Sequence, residues 1–65
     1  MMQVKFNATF NIGDTVFLKT DRENQYPFMV IGYYVEEDGD LYYHLRNSII
    51  NEFFTEKEIN NILNN

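Results

Sequence analysis

Two apolar stretches separated by an acidic segment that contains a glycine restrict the middle of this chain to a β-hairpin. Residues 28–36 read FMVIGYYVE, residues 41–46 read LYYHLR, and Glu37-Asp38-Gly39 lies between them. Both stretches are rich in the β-branched and aromatic residues that are typical of strands. Because successive side chains of a strand point to opposite faces of the sheet, the length of the turn decides which side chains share the core face.

The distribution of apolar residues selects a three-residue loop at this turn. A two-residue turn would place apolar side chains of the first strand on the same face as His44 and Arg46. A three-residue loop with Gly39 in the left-handed conformation instead makes that face uniformly apolar. The predicted core pairs are Val35 with Leu41, Tyr33 with Tyr43, and Ile31 with Leu45.

The second hairpin is predicted to turn at Asn47-Ser48, because asparagine tolerates a positive φ angle. Its second strand covers residues 49–54. The predicted pairs on the core face are Leu45 with Ile50, Leu41 with Phe54, and Tyr43 with Glu52, whose carboxylate would need to reach water at one end of a barrel.

The same register leaves aromatic side chains on the outer face of the sheet. Tyr34, Tyr42 and Phe53 are predicted to form one row across the three strands. The following rows hold, in order, Gly32, His44 and Asn51, and then Val30, Arg46 and Ile49. Phe17, on an earlier strand, points away from the side that Val16 and Leu18 select. The prediction is therefore an aromatic stripe with a basic edge on a face that would ordinarily be polar.

The remaining segments complete a mainly all-β domain over residues 1–65. Alternation predicts strands at about residues 2–9 and 15–20, and the polar segment 21–27 is predicted to be a loop. Thr55 and Glu58 match a capping box, and apolar residues follow at helical spacing up to Leu63. A short C-terminal helix is therefore predicted at about residues 56–63, docked against the sheet.

Composition excludes several classes of protein. The 10 acidic and 5 basic residues give a net charge of −5, which disfavours binding to nucleic-acid phosphates. The absence of cysteine excludes disulfides, zinc knuckles and thiol nucleophiles. No segment approaches the ~18 consecutive apolar residues of a membrane span, and the N-terminus lacks the pattern of a signal peptide. We therefore expect a cytoplasmic protein without a membrane partner.

The sequence offers no set of residues for catalysis or metal binding. His44 is the only histidine, and its predicted neighbours are neither metal ligands nor orienting carboxylates. Ser48 lies in a turn with no base nearby. The acidic residues at 36–40 fit no calcium loop and are typical of a solvated hairpin tip. We predict no catalytic residue, no metal and no cofactor, and hence a protein that is not an enzyme.

Several motifs are similar to those of a known group of small proteins. They are FNIGDTVFLKTD at residues 10–21, Met29-Val30-Ile31-Gly32, and Phe54 followed five residues later by Ile59. Together they cover about residues 10–59 and resemble uncharacterised bacterial and phage-type proteins with SH3-like barrels, including the YodC-like group. The chain departs from that pattern in its longer loop at 21–27 and in an extra N-terminal segment. The resemblance implies an SH3-like barrel of four to five antiparallel strands and suggests an adaptor or regulatory role in a phage or mobile element, but it carries no activity.

Four interpretations of the aromatic stripe remain. The rings can simply stabilise the sheet through cross-strand pairs, or the N-terminal strand or the 21–27 loop can cover them. The stripe can also be a contact surface for a protein partner or a second copy of the chain, and this interaction module is the leading functional hypothesis. Its predicted contact residues are Phe17, Tyr34, Tyr42, His44, Arg46 and Phe53. The alternative is a nucleic-acid-associated module in which the same aromatics stack on unpaired bases.

Overall fold

The computed structural model describes residues 8–60, which form one open antiparallel sheet. Its five strands are β1 (Thr15–Leu18), β2 (Phe28–Val35), β3 (Leu41–Arg46), β4 (Asn51–Thr55) and β5 (Ile59–Asn60). The strand order is β4-β3-β2-β1-β5, so β4 and β5 are the two edges and the sheet is not closed. The prediction of a mainly antiparallel β protein is confirmed. Of the predicted first strand at 2–9, residues 2–7 lie outside the described part of the chain, and Ala8 and Thr9 are not in a strand.

The segment after β4 forms a single 3₁₀ turn at Glu56–Glu58, so the predicted helix at 56–63 is wrong over the residues that the structure describes. The backbone N–H of Thr55 donates to Oε1 of Glu58 at 2.8 Å, as in the predicted capping box. Ile59 then adopts an extended backbone, pairs with Leu18 of β1, and is 1% exposed. Because a two-turn helix is unstable by itself, burial of Ile59 in the sheet outweighs the helical spacing. The rest of that predicted helix, at 61–63, lies outside the described residues.

The turn between β2 and β3 has the predicted three-residue loop. Val35 pairs with Leu41 and Tyr33 with Tyr43. The N–H of Gly39 donates to the carbonyl oxygen of residue 36 at 2.9 Å, and the φ angle of Gly39 is 94°. This part of the register is confirmed, including the left-handed glycine.

An irregularity in β2 makes the first half of the predicted register wrong. The pairing with β3 shifts between Val30 and Gly32, so Leu45 pairs with Val30 and not with Ile31. One extra residue in a strand reverses the inward and outward alternation of the residues before it. Val30, predicted on the outer face, is therefore fully buried, whereas Met29, which by alternation shares the predicted core face with Ile31, is 49% exposed.

The turn between β3 and β4 is two residues longer than predicted. It covers residues 47–50, where the side-chain oxygen of Asn47 accepts hydrogen bonds from the N–H groups of Ile49 and Ile50 at 2.8 and 2.7 Å. Tyr43 consequently pairs with Phe54, and Leu45 with Glu52, so the predicted pairs are wrong. A shift by two residues preserves the alternation, and every residue of β4 stays on its predicted face.

The core lies under the inner face of the sheet. Its buried residues are Phe10, Val16, Phe28, Val30, Tyr43, Leu45 and Ile59. The segment before β1 covers this core, since the ring of Phe10 packs edge-on against that of Tyr43 with 5.3 Å between centroids. The buried hydroxyl of Tyr43 accepts a hydrogen bond from the backbone N–H of Thr9 at 2.9 Å. Tyr33 donates its hydroxyl hydrogen to the carbonyl oxygen of Phe10 at 2.8 Å.

Candidate functional site

Four aromatic side chains meet on the outer face of β2, β3 and β4, and we call them the aromatic cluster: Tyr34, Tyr42, His44 and Phe53. The ring of Tyr34 lies 6.3 Å from that of Tyr42 and 5.8 Å from that of Phe53, measured between centroids. The rings of His44 and Phe53 are stacked at 4.4 Å. Gly32, which pairs with His44, contributes no side chain to this row.

The cluster differs in detail from the predicted row. Tyr34 does pair with Tyr42, but Tyr42 pairs in turn with Thr55, and Phe53 pairs with His44. The two-residue shift of β4 therefore moves Phe53 along the sheet by one row, and its ring reaches Tyr34 diagonally. Tyr34 and Phe53 are 49% and 50% exposed, whereas Tyr42 and His44 are half-buried.

A concave space lies at the end of the cluster nearest the β2–β3 turn, and we call it the aromatic pocket. It has a volume of about 210 Å³ and is lined by Tyr34, Glu36, Tyr42 and Phe53. The ring planes of Tyr42 and Phe53 are inclined to that of Tyr34 by 51° and 62°. Inclined rings from three neighbouring strands form walls around a hollow, which a flat stack would not do.

The pocket has a negative electrostatic character. The Glu36 carboxylate raises the pKa of the Tyr34 hydroxyl, because it accepts a hydrogen bond from the neutral phenol and its charge opposes formation of the phenolate. The faces of aromatic rings also carry the negative part of their quadrupole. A carboxylate and three aromatic rings are therefore arranged around one space, which suits a cation.

Two contacts fix the orientation of His44. A hydrogen bond joins its Nε2 atom to the side-chain oxygen of Asn51, and its ring is stacked on Phe53. Asn51 was predicted as a neighbour of His44, and the structure brings the two side chains together. The arrangement orients the imidazole within the cluster.

The structure separates the other two predicted contact residues from the pocket. Phe17 lies on β1 beside Asn60 of β5, and within residues 8–60 it makes no ring contact with the cluster. Arg46 is exposed at the far end of β3, four residues from Tyr42, a separation of about 13 Å along a strand. Arg46 remains on the outer face, whereas Phe17 belongs to another part of the molecule.

Two features were missed from the sequence. Glu36 was assigned to the solvated hairpin tip, and only its closeness to Tyr34 and Tyr42 identifies it as a wall of the pocket. An open apolar cleft of about 620 Å³ also lies between the 19–27 loop and the 47–50 turn. Tyr26 and Ile49, which are 57% and 81% exposed, are its outermost apolar side chains. In the sequence, this cleft was indicated only by isolated large apolar residues in two polar loops.

Within residues 8–60, no group of three or more acidic or histidine side chains converges to hold a metal ion. No helix in the same part of the chain is long and apolar enough to cross a membrane. Comparisons with models of known protein families, with curated protein sequences and with solved structures find no match to this chain.

Proposed function

We propose that this chain is a non-enzymatic protein-interaction module that binds a partner protein through the aromatic cluster. The observation that carries the proposal is the half-exposed state of Tyr34 and Phe53, which contact each other and still present about half of each ring to solvent. Fully burying one such side chain is worth about 1.5–3 kcal/mol, so covering both exposed halves provides a similar amount. A chain of 65 residues has few large apolar side chains to spare from its core.

We further propose that the scaffold is an SH3-like barrel. The support is topological, because β1 to β4 form an antiparallel meander, a single 3₁₀ turn follows β4, and the last short strand returns to pair with β1. Small barrels of this class present aromatic side chains to extended peptides, which agrees by analogy with the position of the cluster. The resemblance of residues 10–59 to the YodC-like group belongs to the same proposal.

The charge distribution favours a protein partner over nucleic acid or a second copy. The chain carries a net charge of −5, and Glu36 lines the pocket itself. These charges repel phosphate groups, and two identical chains repel each other. The proposal assigns no catalytic role to His44, the only histidine, whose ring is stacked on Phe53 and hydrogen-bonded to Asn51.

The test measures partner binding by the wild type and by the Phe53→Ala variant. Proteins captured from the native cell extract are identified, purified and titrated against each form. We expect Phe53→Ala to weaken binding about 10-fold or more, as truncation of a central interface aromatic does. Ile49→Ala is the matched control, because Ile49 is exposed but lies in the β3–β4 turn. Equal affinities for the wild type and Phe53→Ala would refute the proposal, as would binding only to single-stranded oligonucleotides.

A further inference from the structure

The lining of the aromatic pocket restricts what it can accept from a partner. An apolar side chain would cover the Glu36 carboxylate without bringing a positive charge to it, and burying an uncompensated charge is costly. An anionic group would be repelled by the same carboxylate and by the acidic residues of the adjoining turn at 37–40. A cationic group satisfies both the carboxylate and the ring faces.

We propose that the aromatic pocket binds the guanidinium group of an arginine side chain of the partner protein, stacked on the rings and donating hydrogen bonds to Glu36. This inference rests on the proposed function and names the group that the site recognises. Arginine fits better than lysine because its guanidinium is planar, weakly hydrated, and able to stack and to donate several hydrogen bonds at once. The pocket volume equals that of about seven water molecules, which is enough for an arginine side chain.

A second copy of this chain is the nearest alternative source of arginine. Arg46 lies on the same outer face as the pocket but at the other end of β3, so a two-fold axis near His44 would place it over the pocket of the other copy. The net charge of −5 on each chain opposes that arrangement. The proposal therefore assigns the pocket to a basic segment of a different protein.

The first experiment titrates the wild type with N-acetyl-arginine amide and follows the aromatic NMR signals. We expect the signals of Tyr34, Tyr42 and Phe53 to shift, with smaller shifts for N-acetyl-lysine amide and none for N-acetyl-leucine amide. Glu36→Gln should weaken arginine binding about 3- to 10-fold. Glu37→Gln is the matched control, since it removes the same charge from the adjacent exposed residue, which does not line the pocket. Equal shifts with the leucine probe, or equal effects of the two variants, would overturn the inference.

The second experiment selects random displayed peptides on the wild type and separates failure of this inference from failure of the proposed function. We expect the selected peptides to be enriched in arginine, and we expect both Phe53→Ala and Glu36→Gln to reduce their binding. A different outcome is a set of selected peptides that lack arginine and lose affinity with Phe53→Ala but not with Glu36→Gln. That result would overturn this inference and leave the proposed function standing. A selection without any peptide that depends on Phe53 would count against both. A wild-type dimer that Arg46→Gln dissociates would assign the pocket to a second copy instead.

Discussion

Truncating Val30 and Met29 in turn tests the irregularity in β2, because the two possible alternations of this strand predict opposite results. Val30 is fully buried, and Val30→Ala removes two methyl groups from the core. At about 0.8 kcal/mol per buried methylene-sized group this costs ~1.6 kcal/mol, and the cavity left behind adds about 1 kcal/mol. Met29 is 49% exposed on the outer face, so we expect Met29→Ala to cost less than about 1 kcal/mol.

Urea unfolding followed by far-ultraviolet circular dichroism measures both free energies of unfolding. For a domain of this size the dependence on urea is about 1 kcal/mol per molar, so Val30→Ala should lower the midpoint by about 2–3 M. Val30→Ala can also leave the protein unfolded without any urea. If Met29→Ala then keeps a midpoint near that of the wild type, Val30→Ala still has the larger cost, as expected. Equal costs, or a larger cost for Met29→Ala, would refute the irregularity in β2 and support an uninterrupted alternation through Ile31.

Four further substitutions test the β2–β3 turn, the glycine inside β2, the buried hydroxyl and the pocket. Gly39→Ala should lower the free energy of unfolding by about 1–2 kcal/mol, because the φ angle of Gly39 is 94°. Gly32→Ala should instead raise it slightly, since its added Cβ meets only a side-chain carbon at 3.8 Å. Tyr43→Phe should cost about 1 kcal/mol at neutral pH, measured by urea unfolding. Burial raises the pKa of Tyr43, so the fold keeps its full stability below pH 10 and loses stability as the pH rises further and the buried hydroxyl ionises. Tyr43→Phe removes the ionising group and should reduce this loss. Glu36→Gln should lower the pKa of Tyr34 towards 10.0, measured by NMR titration of the phenol carbon, and an unchanged pKa would contradict the contact.

The structure could be predicted from the sequence wherever the turn residues and the alternation of apolar side chains indicated the same register. The three-residue loop was predictable because only one turn length kept Val35 and Leu41 on an apolar face, and because Gly39 can adopt a positive φ angle. The aromatic cluster was predictable for a related reason. The longer turn at Asn47 moved β4 by two residues, an even number, so Phe53 stayed on the predicted face although its partners changed.

The structure could not be predicted from the sequence wherever packing between distant segments determined the local conformation. Ile59 continues a helical spacing, but its burial beside Leu18 places it in a strand. The irregularity lies between Val30 and Gly32, and a glycine inside a strand indicates a bulge without fixing which residue is the extra one. Phe17 could not be placed by alternation alone. β1 pairs with β2 only at Phe28 and Met29, about 20 Å along the strand from Tyr34.

The irregularity in β2 is what allows one strand to serve both the core and the pocket. Phe28, Val30 and Tyr34 occupy even-numbered positions, so an uninterrupted strand would point all three side chains to the same face. In the structure Phe28 and Val30 are buried, whereas Tyr34 is half exposed on the opposite face. The extra residue between Val30 and Gly32 provides this reversal. The irregularity that made the prediction from alternation wrong is therefore also the feature that positions Tyr34 in the proposed binding site.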